Sequence, residues 1–337
     1  MSIVAQAARH GTYVVTYDVA SRFNALRTSG LAFNQHDPIF ERFRQHLLER
    51  MQQTLPGVTI DAIDMSELRL KIWDQVESRL TDSTRQVVLS TCQEITDANP
   101  KSEGLLLNIN RLFNTEGELI GHGARPGFEP IDKQLDELVA RIAGRSVLLI
   151  EDGAFSGGTL RCVLTELKRR GLKVTAALIG FCCTRAKAVL TEEYVGELVI
   201  VNPIENLIDW IPDHDLIPFI PNCGRVLGEQ TPRGLMPVQT ADGFSCSYPY
   251  IEPFGLMEAW ASLPPEGARE LSRFCLDTSV ELFGRLEGHD GRRITIGELL
   301  GRNPRVPIPI EIGAHADLPA LTMEIVDFLE KVRNRLK

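Results

Sequence analysis

The chain of 337 residues lacks any apolar run near the ~20 residues that a membrane-crossing helix needs. Its first residues, MSIVAQAARHGTY, lack a charged start, an apolar stretch and a small-residue cleavage site, so no secretory leader is read and a cytoplasmic location is expected. Its seven cysteines show neither CxxC nor Cys/His spacing, which argues against a disulfide framework and against a zinc site. The adjacent pair Cys182 and Cys183 reads as two small apolar residues at the end of a strand. Basic character is also scarce: the formal net charge is -9, so no extensive nucleic-acid surface is expected. There is no internal repeat or low-complexity tract, and no Gly-Lys-Ser/Thr that would make a P-loop. With 43% hydrophobic and 24% charged residues, the composition is that of an ordinary globular protein.

The stretch SVLLIEDGAFSGGTLRCVLTELKRRG, Ser146 to Gly171, carries the chemistry. Val147 to Ile150 form a continuous apolar run, which suits a strand of a parallel sheet covered on both faces. Glu151 and Asp152 end it. Gly153, Gly157 and Gly158 would let the backbone approach a ligand closely, Ser156 and Thr159 add hydroxyls, and a helix is expected from about Thr159. Backbone N–H groups and a positive helix end then face one point, an arrangement suited to an anion such as phosphate. Leu160, Val163, Leu164 and Leu167 mark the inward helix face, and Lys168, Arg169 and Arg170 suit the negative helix end better than a nucleic acid.

Along the chain, Tyr13 to Val19 reads as a strand, followed by a polar loop through Asn24, Thr28 and Gly30. A helix from Pro38, with apolar residues Ile39, Phe40, Phe43, Leu47 and Met51, is broken at Pro56-Gly57. Val58 to Ile63 is a second strand, and Ser66 is read as the N-cap of a helix holding Trp73 in the core. Arg85 to Ser90 is a strand, Leu105 to Phe113 another, and Asn114 to Gly117 a hairpin turn into Glu118 to Ile120. Gly121 to Gly127, with three glycines, His122 and Arg125, is expected to be a mobile lid. A helix from Ile131 to Ile142 and strands Val174 to Phe181 and Leu198 to Val201 complete a strand–helix–strand series with right-handed crossovers. Ligands bind such sheets at the carboxyl ends of their strands, where Glu151 to Thr159 lies. Asn206 to Gly228, with three prolines, Trp210 and Phe219, is expected to fold over that site as a flap. Beyond it Pro237 to Pro253 is loop-like, Gly267 to Leu286 helical, Arg302 to Ile312 proline-rich, and Leu318 to Leu336 a final amphipathic helix.

Four apolar residues, two acids and a small-residue turn ending in Gly-Gly-Thr resemble the phosphoribosyl diphosphate (PRPP) signature of the type I phosphoribosyltransferases. The match runs from Val147 to Thr159, and its context resembles the family over residues 85 to 228. The resemblance implies an α/β fold: a parallel sheet of the phosphoribosyltransferase type flanked by helices, as residues 1–234, with a mostly helical C-terminal accessory region, 235–337. It implies a magnesium-dependent transfer of phosphoribose from PRPP to an unidentified base or amine, with release of pyrophosphate and with Mg2+ held mainly through PRPP. No side chain is assigned as a metal ligand. Glu151 and Asp152 would take the ribose hydroxyls, and the turn Gly153, Ala154, Phe155, Ser156, Gly157, Gly158, Thr159 the 5-phosphate. Ser90 to Glu94 corresponds to the family's pyrophosphate loop. Arg111, Arg125 and His122 are the basic candidates beside the leaving group, and Trp210 or Phe219 would stack on a base or serve only as core.

Two features depart from the family pattern. Gly153-Ala154-Phe155 replaces an aliphatic pair and a hydroxyl, and Arg225 stands where an acidic residue would select a purine; an arginine there could meet an acidic group or a phosphate. The sequence therefore leaves three readings open: a phosphoribosyltransferase, a PRPP- or nucleotide-sensing regulatory protein on the same fold, or a plain strand-to-helix connection in another α/β enzyme. A homodimer is compatible with each.

Overall fold

A computed structural model describes residues 11–26, 33–80, 84–96, 104–193, 196–239, 245–300, 306–307 and 321–336. The chain is α/β, with parallel sheets flanked by helices and a helical C-terminal region. The expected turn residues Thr28 and Gly30 and nearly all of Arg302 to Ile312 fall outside the described residues.

The central sheet is parallel and five-stranded, in the order β4 (Leu105–Leu106), β3 (Gln86–Ser90), β7 (Ser146–Ala154), β8 (Val174–Cys183), β9 (Glu197–Ile204). The apolar run of β7 is divided between two cores. Val147 and Leu149 join the buried residues of α5 (Ile131–Ile142) and α6 (Gly158–Arg169), while Leu148 and Ile150 join those of α3 (Met65–Glu77). A strand with helices on both faces has no polar side to show, which is why its sequence does not alternate. Trp73 on α3 is buried and donates from Nε1 to the Ile95 carbonyl at 2.7 Å.

A second parallel sheet, β10 (Leu207–Pro212), β1 (Thr12–Tyr17), β2 (Thr59–Asp64), follows β9 after only two residues. Its helices are α1 (Val19–Asn24), where a polar loop was expected, and α2 (Pro38–Thr54), capped by Asp37, whose carboxylate accepts from Ile39 N. The cap of α3 is Asp64, not Ser66: its carboxylate accepts from Ser66 N at 2.7 Å. Asp and Ser both cap well, and here the residue that ends the strand takes the position.

A third, mixed sheet has the order β14 (Val306–Pro307), β13 (Cys246–Tyr248), β11 (Arg225–Thr231), β5 (Ile109–Phe113), β6 (Leu119–Ala124), with β12 (Gly234–Pro237) antiparallel to β11. It corrects the expected lid. Gly121 to Ala124 pair with Leu112 to Ile109 as regular strand, and a Cβ at Gly123 would lie 2.5 Å from the Leu235 carbonyl. The glycines allow β12 to pack close, a static need that looks like mobility in sequence.

The centre of the expected flap is core, while Trp210, Asn222 and Arg225 from the same stretch line the cleft described below. Every residue from Asp213 to Ile220 is buried, and Phe219 is fully enclosed, edge-on to Phe328 of the last helix. Residue 234 does not separate two cores: one apolar cluster joins Tyr13, Phe40 and Leu47 to Ile251, Leu276, Phe283 and Leu329. The remaining helices are α4 (Gln93–Thr96), in the expected pyrophosphate loop, α7 (Thr184–Glu193), α8 (Met257–Trp260), α9 (Pro265–Asp290), α10 (Ile296–Leu300) and α11 (Ile325–Arg335). Among the described residues no helix is long and apolar enough to cross a membrane.

Candidate functional site

The carboxyl ends of β7 and β1, the segment after β10 and the hairpin β5–β6 converge on a cleft of about 140 Å³. Its walls include Asp18, Arg22, Arg111, Arg125, Asp152, Trp210, His214, Asp215 and Arg225. Parallel strands end here with their unpaired backbone and following turns, which places polar groups where the hydrophobic layers stop.

Asp152 enters the cleft with its Oδ1 accepting from Gly153 N at 2.7 Å, and the Cys92 thiol lies 3.6 Å from Oδ2. Glu151 Oε2 is shut off from solvent and has no hydrogen-bond partner. Burial first, then the neighbouring Asp152, hold Glu151 well above the ordinary carboxyl range, while Arg125 and Arg111 pull it down. Of the predicted sugar-phosphate residues, Asp152 lines the cleft, whereas Glu151 and the turn from Gly153 to Thr159 are not among its lining residues.

The basic candidates divide. Arg125 is tied to backbone, donating from Nη2 to the Thr91 carbonyl at 2.8 Å and from Nε to that of Ile109 at 3.2 Å. Arg111 is exposed at the cleft wall. His122 bridges the hairpin to α6, its Nε2 lying 3.2 Å from Thr159 Oγ1, and burial, then Arg111, lower its pKa. Arg225 is caged by Trp260 at 4.5 Å, Phe113 at 4.6 Å and Tyr250 at 5.5 Å, and donates to the Gly117 carbonyl. The rings hold the guanidinium at the cleft wall, where its Nε is shut off from solvent without a hydrogen-bond partner.

The turn from Gly153 to Thr159 leads straight into α6, one residue earlier than expected, with Gly157 as N-cap at φ 74° and no side-chain cap. Of the first-turn N–H groups of α6, that of Gly158 donates to Ser156 Oγ at 3.4 Å, and Gly157 has no side chain to cap the others. Ala154 is buried and Phe155 turns outward, 39% exposed, while its carbonyl accepts from the Cys183 thiol at 2.9 Å. Gly153 has a packing reason of its own: a Cβ there would lie 2.3 Å from the ring of Phe181. At the far end of α6, Arg169 and Arg170 pair with Asp132 and Glu166.

Trp210 lines the cleft, edge-on to Phe181 at 4.7 Å, with Nε1 donating to Thr16 Oγ1 at 3.0 Å. The cleft wall also holds a group that sequence reasoning missed. Asp18 accepts from Arg22 Nε at 2.8 Å and meets His214 Nδ1 at 2.5 Å, while His214 Nε2 is 3.6 Å from Asp215 Oδ1. Burial works against a charged His214, but Asp18 and then Asp215 outweigh it and raise its pKa. The signal was present: Asp18 ends the β-branched strand of β1, and Asp213-His214-Asp215 follows the apolar run of β10.

Asp18, Asp213 and His214 bring possible ligand atoms within 4.8 Å of one another. The group does not fit a magnesium ion, which demands octahedral oxygen coordination and retains waters. Both Asp18 oxygens are taken by Arg22 and His214, and Asp213 Oδ1 accepts from Asp18 N and Val19 N, each at 3.0 Å.

No protein-family model matches the chain, and no curated protein does. Among solved structures, it is similar to a hypothetical protein from Neisseria gonorrhoeae with bound ppGpp, at 10% identity and a TM-score of 0.32, covering 44% of this chain and 82% of that one. A likeness this slight bears on neither fold nor function.

Proposed function

We propose that the cleft binds a phosphorylated ribose bearing a diphosphate, with PRPP as the ligand of that kind, and passes its phosphoribosyl group to a base or amine with release of pyrophosphate. The observation that carries this reading is Asp152 in the cleft wall, with Glu151 beside it on β7 and its Oε2 unmet, two residues before β7 ends and the chain turns into α6. The acids would accept from the ribose hydroxyls, and the first turn of α6 would receive the 5-phosphate. Arg111, exposed on the cleft wall, would face the charge that develops on the leaving oxygens. Trp210 would offer a ring edge or face to the acceptor. Magnesium belongs to the substrate here, carried by the diphosphate, because the described residues offer no fitting ion site of their own.

A second reading, a sensor that binds the same ligand without turnover, is favoured by two specific features. Arg125 is held by two carbonyls, and Gly121 to Ala124 of the expected lid are paired strand, which leaves little of either to close over a leaving group. Pyrophosphate release from PRPP and magnesium, measured against a panel of bases and amines, separates the two. Release that Asp152→Asn abolishes supports transfer; binding with no release for any acceptor supports the sensor.

A further inference from the structure

A second cavity, of about 260 Å³, lies among the end of β1, α1 and the early turns of α2 and α3, and Asp18 belongs to its wall as well as to that of the cleft. Most polar groups around it are already engaged. The Asn24 amide exchanges two hydrogen bonds with the Phe33 backbone, Gln35 Oε1 accepts from Ser66 Oγ, and Asp18 and Asp213 are held as described above. Two groups are not. The Arg44 guanidinium lies 4.5 Å over the ring of Tyr17 and makes no hydrogen bond or ion pair with any described residue, and its Nε is shut off from solvent. The Tyr17 hydroxyl, on a side chain only 6% exposed, also has no partner. Burial, then Asp213, push that hydroxyl above the ordinary tyrosine range, so it stays a donor.

Leaving buried donors such as the Tyr17 hydroxyl and Arg44 Nε unmet is costly. Both orphaned groups are donors and one is positively charged, so the complementary ligand is rich in acceptors and negative. We propose that this cavity is a binding site for a small anion whose carboxylate or phosphate group is received by Arg44 and the Tyr17 hydroxyl. The Tyr17 ring lies 4.5 Å from the guanidinium carbon and holds the cation beside the Tyr17 hydroxyl's own ring. This site stands apart from the phosphoribosyl reading and does not depend on it.

Calorimetric titration of the full chain with succinate, and separately with inorganic phosphate, tests it. At least one of the two should bind, and its affinity should fall about tenfold or more in Arg44→Leu and in Tyr17→Phe, as expected for a lost charge-assisted hydrogen bond. Tyr17→Phe removes a single orphaned oxygen, so it should fold with its melting temperature held or raised; it keeps the test decisive if Arg44→Leu does not fold. Asp152→Asn should leave the affinity unchanged. Whichever anion binds tells a carboxylate ligand from a phosphate one. Absence of binding by both anions, affinity surviving in every folded variant, or loss in Asp152→Asn would each overturn the proposal.

Discussion

Replacing Gly153 by alanine should destabilise the fold through Phe181 rather than through any ligand. A Cβ at that position would lie 2.3, 2.4 and 2.8 Å from three carbons of the Phe181 ring. Carbon atoms in contact settle near 3.5–4.0 Å, so the ring must retreat by more than about 1 Å. It has little room: Phe181 is fully buried, and Trp210 stands edge-on to it at 4.7 Å. Overpacking of this kind costs about 1–3 kcal/mol. Urea denaturation of Gly153→Ala should show that loss with an unchanged slope, and near-ultraviolet circular dichroism should report a disturbed Trp210. The double variant Gly153→Ala/Phe181→Leu should recover about 1 kcal/mol relative to the sum of the single changes, because the two residues touch. A Gly153→Ala protein within about 0.5 kcal/mol of the parent, with additive energies in the double variant, would refute the packing argument. The glycine would then stand there for the backbone's approach to a ligand.

Two further predictions concern charge and the shared core. His214 gains Asp18 as a partner on folding and its pKa is raised, so the stability it contributes should be fully present below pH ~6.5 and fade as pH rises through the higher folded value. His214→Asn should flatten that pH dependence in denaturation curves, and should cost about 3 kcal/mol or more at pH 6 by leaving Asp18 short of one partner; a pH profile parallel to the parent's would contradict it. Phe283→Ala, in α9, should cost about 3–5 kcal/mol and lower a single melting transition for the whole chain, because Phe283 packs into the cluster that holds Tyr13 and Phe40. Two separate transitions, one unaffected, would show that residues beyond 234 fold as their own unit.

How much of this was legible in the sequence depends on how far apart the cooperating residues lie. The buried strand of β7, the acid pair and the glycine turn are contiguous, and α2 and α5 announce themselves through apolar spacing, a first-turn proline and acids near the start. The cleft's other wall is not contiguous with them. Asp18 and His214 are 196 residues apart, and only the parallel pairing of β1 with β10 brings their strand ends together. The misread segments share one cause. Glycines in Gly121 to Gly127 and prolines in Asn206 to Gly228 look like signs of exposed loops, yet Gly123 lies against Leu235 and Phe219 packs on Phe328, both set by distant elements. Local composition reports backbone freedom; it does not say whether that freedom is used for motion or for close approach.

The proposed ligand is tested most directly by calorimetric titration of the full chain with PRPP in the presence of magnesium, alongside Asp152→Asn. Saturable binding to the parent, weakened about tenfold or more by the loss of one carboxylate that accepts from the ribose, is the expected result. No heat of binding by the folded parent protein, or equal affinity in both proteins, would contradict the assignment of Glu151 and Asp152 to a ribose.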